Sequence, residues 1–116
     1  MASEVAIIGG GAAGFFAAIT CAEQGSRVMI LEKTGHFLSK VKISGGGRCN
    51  VTHACFEPRE LAKHFPRGEK PLIGPFGSFQ PRDTIEWFKR RGVEMYTLPD
   101  GCLFPASDSS QTIIDC

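Results

Sequence analysis

The sequence predicts an α/β fold that opens on a parallel βαβ unit. Three observations carry this reading. A short β-branched run, Glu4–Ile8 (EVAII), leads into a glycine cluster. A helix-favouring stretch, Ala12–Gln24, ends at Gly25, a natural C-terminal cap. A second apolar run, Arg27–Glu32 (RVMILE), follows at once. Short apolar runs bounded by glycine read as buried strands. Strand, helix and strand in such close succession require a crossover, so the two strands are expected to be parallel.

Further along, Pro58–Phe65 reads as a short helix with proline in its first turn. The stretch GEKPLIGPFGSF is too rich in Gly and Pro for a long regular helix. Pro81–Arg91 is a better one: Ile85 and Phe88 share a face, basic residues fill the last turn, and Gly92 follows. Val93–Leu98 and Cys102–Phe104 flank Pro99-Asp100-Gly101, the pattern of a β-hairpin. At Ser109 a serine cap opens a further helix, SSQTIIDC. That helix has not buried its face, and two parallel strands make a poor sheet alone. Residues 1–116 are therefore expected to be the N-terminal portion of a domain in a longer protein. The remaining domains of that protein would be its first partners.

Composition narrows the function classes. A length of 116 residues suits one small domain, and a net charge of +1 provides no field for nucleic acid. Five cysteines, odd in number and without a Cys-x-x-Cys pair, argue against a disulfide framework or a metal site. Reduced thiols fit a cytoplasmic location. Val5–Ala22 is free of charge, but Gly9, Gly10, Gly11 and Gly14 interrupt it and no Lys or Arg precedes it. Neither a signal peptide nor a membrane span is expected.

Two glycine loops carry the chemistry. Gly9, Gly11 and Gly14 match Gly-x-Gly-x-x-Gly between a strand and a helix, with Glu32 eighteen positions beyond Gly14 at the end of the next strand. In this dinucleotide-binding (Rossmann) pattern Gly9 permits the tight turn, Gly11 admits a pyrophosphate to the backbone, and Gly14 lets helix and strand pack closely. The N–H groups around Ala12 and Ala13 face the phosphates with the helix dipole behind them. Glu32 suits an adenosine ribose and would repel a 2′-phosphate. The second loop runs from Ser44 to Asn50 (SGGGRCN). The N–H groups of Gly45, Gly46 and Gly47 can form an anion-binding concavity, Arg48 offers a planar charged fork, and Asn50 offers both a donor and an acceptor.

Cys49 and Cys55, with five residues between them, invite a redox-pair reading, but no adjacent base is apparent. Packing or polar contacts are the expected role of Cys49, and plain burial that of Cys55. His36, His53 and His64 stand singly in the sequence and are expected to make local or surface contacts. Trp87, Phe88 and the other aromatics are expected in core or interdomain contacts.

Together, AIIGGGAAGFFAAI, ILEK, KISGGGRCNVTH and GCLFPASDSSQTIID resemble a bacterial FAD-binding flavoprotein family labelled aminoacetone-oxidase-like, or NAD(FAD)-utilising dehydrogenase. Its members include proteins described as bile-acid dehydro-reductases. The resemblance covers essentially the whole chain, and SGGGRCN is its most specific string. It implies the N-terminal part of a Rossmann-like FAD-binding domain of the two-dinucleotide-binding-domain type: a parallel βαβ plus a helical segment and a β-hairpin. It implies FAD in the first loop, on Gly9, Gly11, Ala12, Ala13, Gly14 and Glu32, with Lys33 beside it. Ser44, Gly45, Gly46, Gly47, Arg48, Cys49 and Asn50 then lie along the ribityl and flavin side. Family members commonly read Gly-Arg-Lys before that loop; here Leu38-Ser39-Lys40 carries over Lys40 alone.

The expected activity is hydride transfer between FAD and a small organic substrate, with NAD(P)H a candidate electron donor. No catalytic acid or base can be named. A non-catalytic FAD- or NAD-binding module and an NAD-dependent dehydrogenase are the rival readings. The second loop speaks against the latter, because a plain NAD domain needs no second anion site there.

Overall fold

The computed structural model describes residues 2–116. The chain divides into two compact units, one ending at Ile43 and the other running from Ser44 to Cys116. The first unit is the expected βαβ. Strand β1 (Glu4–Ile8) pairs in parallel with β2 (Arg27–Leu31), and helix α1 (Ala12–Glu23) connects them. Gly25 follows the helix with φ of 87°, the left-handed geometry that glycine adopts without penalty. The register sets Val5 opposite Val28 and Ile7 opposite Ile30. These four are half-buried, and Ile7 lies against the start of α1 at Gly14.

The strands are not buried on both faces, as their unbroken apolar runs suggested. Ile8 is 79% exposed, Met29 61% and Leu31 47%. A single helix covers a single face of this two-stranded sheet, so every second side chain points away from α1. After β2 a loop leads to α2 (Ser39–Ile43), a short helix that the sequence pattern did not reveal.

The second unit is built around β5 (Cys102–Pro105), where Leu103, Phe104 and Pro105 are all buried. Burial of each of the first two contributes about 2 kcal/mol. The expected hairpin is present: β4 (Met95–Thr97) pairs antiparallel with β5. A third strand, β3 (Thr52–His53), pairs with the other edge of β5, giving the order β3-β5-β4. Its sequence carries no strand signal. Two residues are too few for a period to show.

Helix α3 (Pro58–Ala62) starts at proline, with Glu57 capping the Glu60 N–H. The Gly/Pro-rich stretch forms a ten-residue helix, α4 (Glu69–Ser78), contrary to expectation. Pro71 sits in its first turn, where no helical N–H bond is needed. Helix α4 packs against α3, and Phe76 meets Phe65 at 5.4 Å between ring centroids. Tertiary contact thus outweighs the cost of the interior Pro75. Helix α5 (Pro81–Arg90) opens on a capping box: Gln80 Oε1 accepts from Arg82 N and Asp83 Oδ2 accepts from Gln80 N, both at 2.9 Å. Ser109 caps α6 (Ser110–Asp115) as predicted.

Candidate dinucleotide-binding site

The first glycine loop meets the geometric demands of its pattern one residue at a time. Gly9 has φ of 102°, and its N–H donates to Leu31 O at 2.8 Å, which ties the turn to β2. Gly11 is the N-cap of α1 in extended conformation, and a Cβ built on it would meet nothing within 4 Å. The space beside its backbone is open to a ligand. No side chain caps α1, and its first turn carries no acid. The positive end of the helix dipole, at Ala12 and Ala13, is therefore met by no side-chain cap and by no acid from α1 itself. Gly14 is the reverse of Gly11: a Cβ there would lie 2.0 Å from Gly9 O.

Glu32 follows β2 and turns back on the glycine loop. Its Oε1 accepts from Gly10 N at 3.1 Å; its Oε2 accepts from Thr34 N at 2.7 Å and from Thr34 Oγ1 at 2.6 Å. These bonds hold the carboxyl down to about 2, the Thr34 hydroxyl first, then the backbone N–H groups of Thr34 and Gly10, with Lys33 adding its charge. Three accepted bonds leave a carboxylate capacity for a ligand hydroxyl. Glu32 is thus an anchored anion as well as the candidate ribose acceptor. Lys33 is exposed beside it, and Lys40 is exposed on α2.

Gly10, an unassigned position of the pattern, proves as constrained as its neighbours. It is buried, its carbonyl accepts from Leu38 N at 2.8 Å, and a Cβ would strike the Phe37 ring at 2.3 Å. Phe37 in turn meets Phe15 of α1 edge-on at 5.6 Å. The loop after β2 is thereby pinned onto the glycine turn. The only signal in the sequence was that the glycines run three in a row.

The second loop is a tight left-handed turn. Gly45, Gly46 and Gly47 have φ of 56°, 68° and 91°, and Cys49 follows at 64°. The chain closes on itself as Cys49 N donates to Ser44 O at 3.0 Å. At Gly45 the crowding is severe, for a Cβ would lie 2.7 Å from both Asn50 N and the Phe104 ring. Arg48 stacks on Phe104 with its guanidinium carbon 4.4 Å from the ring centroid. Asn50 is exposed at the end of the turn.

All five cysteines are free thiols; Cys49 is buried and Cys55 half-buried. Cys55→Ser is therefore expected to leave flavin reduction near normal in the full-length protein. Stopped-flow absorbance checks this, and a dead variant with intact fold and bound cofactor would restore the redox-pair reading. His53 and His64 are neighbours across an open groove, their ring centroids 5.9 Å apart. The ring of His53 also packs over Gly101, where a Cβ would lie 2.6 Å from Nε2. Among the described residues no cluster of three or more His, Cys, Asp or Glu side chains could hold a metal ion. Among them, too, no helix is long and apolar enough to cross a membrane.

The sequence profile described as the HI0933-like protein Rossmann domain matches residues 3–116. The chain belongs to this family. Its relatives include the ribosomal RNA dihydrouridine synthase of Escherichia coli (strain K12), 32% identical over 97% of this chain and 27% of the relative. The 3-dehydro-bile acid delta(4,6)-reductase of Clostridium scindens is 29% identical over 97% of this chain and 27% of its own. The 3-oxosteroid 1-dehydrogenase of Mycolicibacterium smegmatis is 33% identical over 79% and 16%. The chain spans about a quarter or less of the length of these relatives. A Rossmann domain is the fold that the βαβ unit and its glycine turn predicted, and the names of two of these relatives are those of a reductase and a dehydrogenase.

Proposed function

We propose that this chain is the N-terminal FAD-binding part of a cytoplasmic FAD-dependent oxidoreductase acting on a small organic molecule. One observation carries the reading furthest: a carboxylate fixed as an anion at the glycine turn, beside an uncapped helix start with open space at Gly11. That combination fits a ribose and a pyrophosphate together. Gly9, Gly11, Ala12, Ala13 and Gly14 would hold the pyrophosphate. Glu32 would hold the adenosine ribose, with Lys33 and Lys40 on the periphery. Ser44–Asn50 would take the ribityl and flavin side, its glycines leaving the backbone bare of side chains. FAD, once bound, supplies hydride transfer; the protein binds and orients it and shields it from water.

The family label aminoacetone-oxidase-like, or NAD(FAD)-utilising dehydrogenase, belongs to the same proposal, as does NAD(P)H as electron donor. The names of two relatives, which point to a bile acid and an oxosteroid, support a small organic substrate, whereas the ribosomal RNA dihydrouridine synthase points by its name to RNA. The remaining domains of the protein would complete the substrate side.

The test is the visible spectrum of the full-length protein under anaerobic conditions, before and after NADH or NADPH. Flavin bands that bleach on addition are the expected result. A colourless protein that takes up no added FAD would overturn the reading.

A further inference from the structure

Arg48 is a long, exposed side chain, and holding it in one rotamer costs side-chain entropy. It is nonetheless held from three sides within the second unit. Its guanidinium lies on the face of Phe104, a ring that is itself buried at 4% exposure. Its Nε donates to Gly45 O at 3.4 Å, inside the turn that carries it. On the third side is Tyr96 of β4, whose hydroxyl donates to Asp108 Oδ1. The Asp108 hydrogen bond pushes the Tyr96 phenol up, and Arg48 acts on the same hydroxyl in the opposite sense. Phe104 joins the two groups, since it also lies 6.2 Å from the Tyr96 ring and fills the space beside Gly45.

We infer that Tyr96, Phe104 and Asp108 are positioning residues, through which the β4–β5 hairpin and the turn after it aim Arg48 at an acceptor oxygen of FAD. This rests on the proposal that Ser44–Asn50 binds that cofactor. Phe104 is the platform and Asp108 holds the tyrosine. Tyr96, set beside Phe104 with its hydroxyl on Asp108, would restrain the guanidinium on that side. Asp108 has φ of 54°, a left-handed conformation that aspartate adopts only at some cost. None of the three would touch the cofactor. Their effect would be to remove the ordering cost that Arg48 would otherwise meet when FAD binds.

The experiment is a double-mutant cycle in the full-length protein: wild type, Tyr96→Phe, Arg48→Ala and the double variant. FAD affinity is read by flavin fluorescence, and thermal unfolding without FAD is recorded beside it. Tyr96→Phe keeps the ring on Phe104 and removes the hydroxyl alone. It is expected to weaken FAD binding about 3- to 10-fold with Arg48 present, and less than about twofold with Arg48→Ala. Some loss of thermal stability without FAD is expected in both backgrounds, because the bond to Asp108 is lost in each, and the inference is read from the difference in FAD affinity alone. Asp108→Asn, which suits the same φ, should show the same dependence on Arg48 and carries the test if Tyr96→Phe does not fold. Equal losses in both backgrounds, or no loss in either, would overturn the inference while leaving FAD binding intact. A wild type that takes up no FAD would overturn the cofactor proposal and this inference with it.

Discussion

Gly14→Ala is expected to cost the first unit about 3 kcal/mol or more and to abolish FAD uptake by the full-length protein. The added methyl would lie 2.0 Å from Gly9 O, well inside contact distance, and 3.3 Å from Ile7 Cγ2. Gly9 cannot retreat, because its N–H is bonded to Leu31 O at 2.8 Å and its φ of 102° already serves the turn. On the other side, α1 is held by the bond from Phe15 N to Gly11 O at 3.0 Å. Relief therefore means separating helix from strand. Gly11→Ala is the control, since its methyl meets no protein atom within 4 Å. That variant should keep the fold and lose cofactor affinity, because its methyl enters the proposed pyrophosphate space. Thermal unfolding and flavin content of the two variants separate the cases. A stable, yellow Gly14→Ala protein would mean that helix and strand are not packed as described.

Glu32→Ala is expected to weaken FAD binding about tenfold or more, because a ribose hydroxyl and the loop at Thr34 lose the same partner. Equilibrium dialysis of FAD against the full-length variant measures it; unchanged retention would remove Glu32 from the site. The pH dependence has a definite sign. The folded carboxyl sits at about 2, below its ordinary value of 4.5. Its contribution is therefore fully present above about pH 4.5 and is lost as pH falls towards 2. FAD retention at neutral pH should not depend on this group's titration. A loss of affinity traced to Glu32 near pH 7 would contradict the hydrogen bonds that hold it ionised.

The legible part of this protein was local. Ile8, Gly9 and Gly14 mark a strand leaving into a helix, because a tight turn and a close helix–strand approach each demand glycine at a fixed offset. Glu32 could be placed because a parallel crossover puts the end of the second strand beside the start of the helix. The hairpin at Pro99–Gly101 and the caps at Gln80–Asp83 and Ser109 follow equally local rules. Helix α4 was missed because propensity counts Gly74, Pro75 and Gly77 against it, while the contact that holds it to α3 lies outside the window.

The amino-acid sequence by itself determined the Rossmann unit, its glycine turn and the acid that faces it, because each depends on residues within one strand–helix–strand passage. Only the tertiary structure decided the rest. Thr52 and His53 become a strand because β5 offers them an edge. Gly10 must be glycine because Phe37 returns onto it, and Gly45 because Phe104 comes up beneath it. Arg48 lies on Phe104, which pairs with Tyr96 in the hairpin, and that hairpin is far along the chain from Arg48. Such contacts leave no periodic trace, since packing joins residues by shape after the chain has closed its loops, and composition carries no record of which residues will meet.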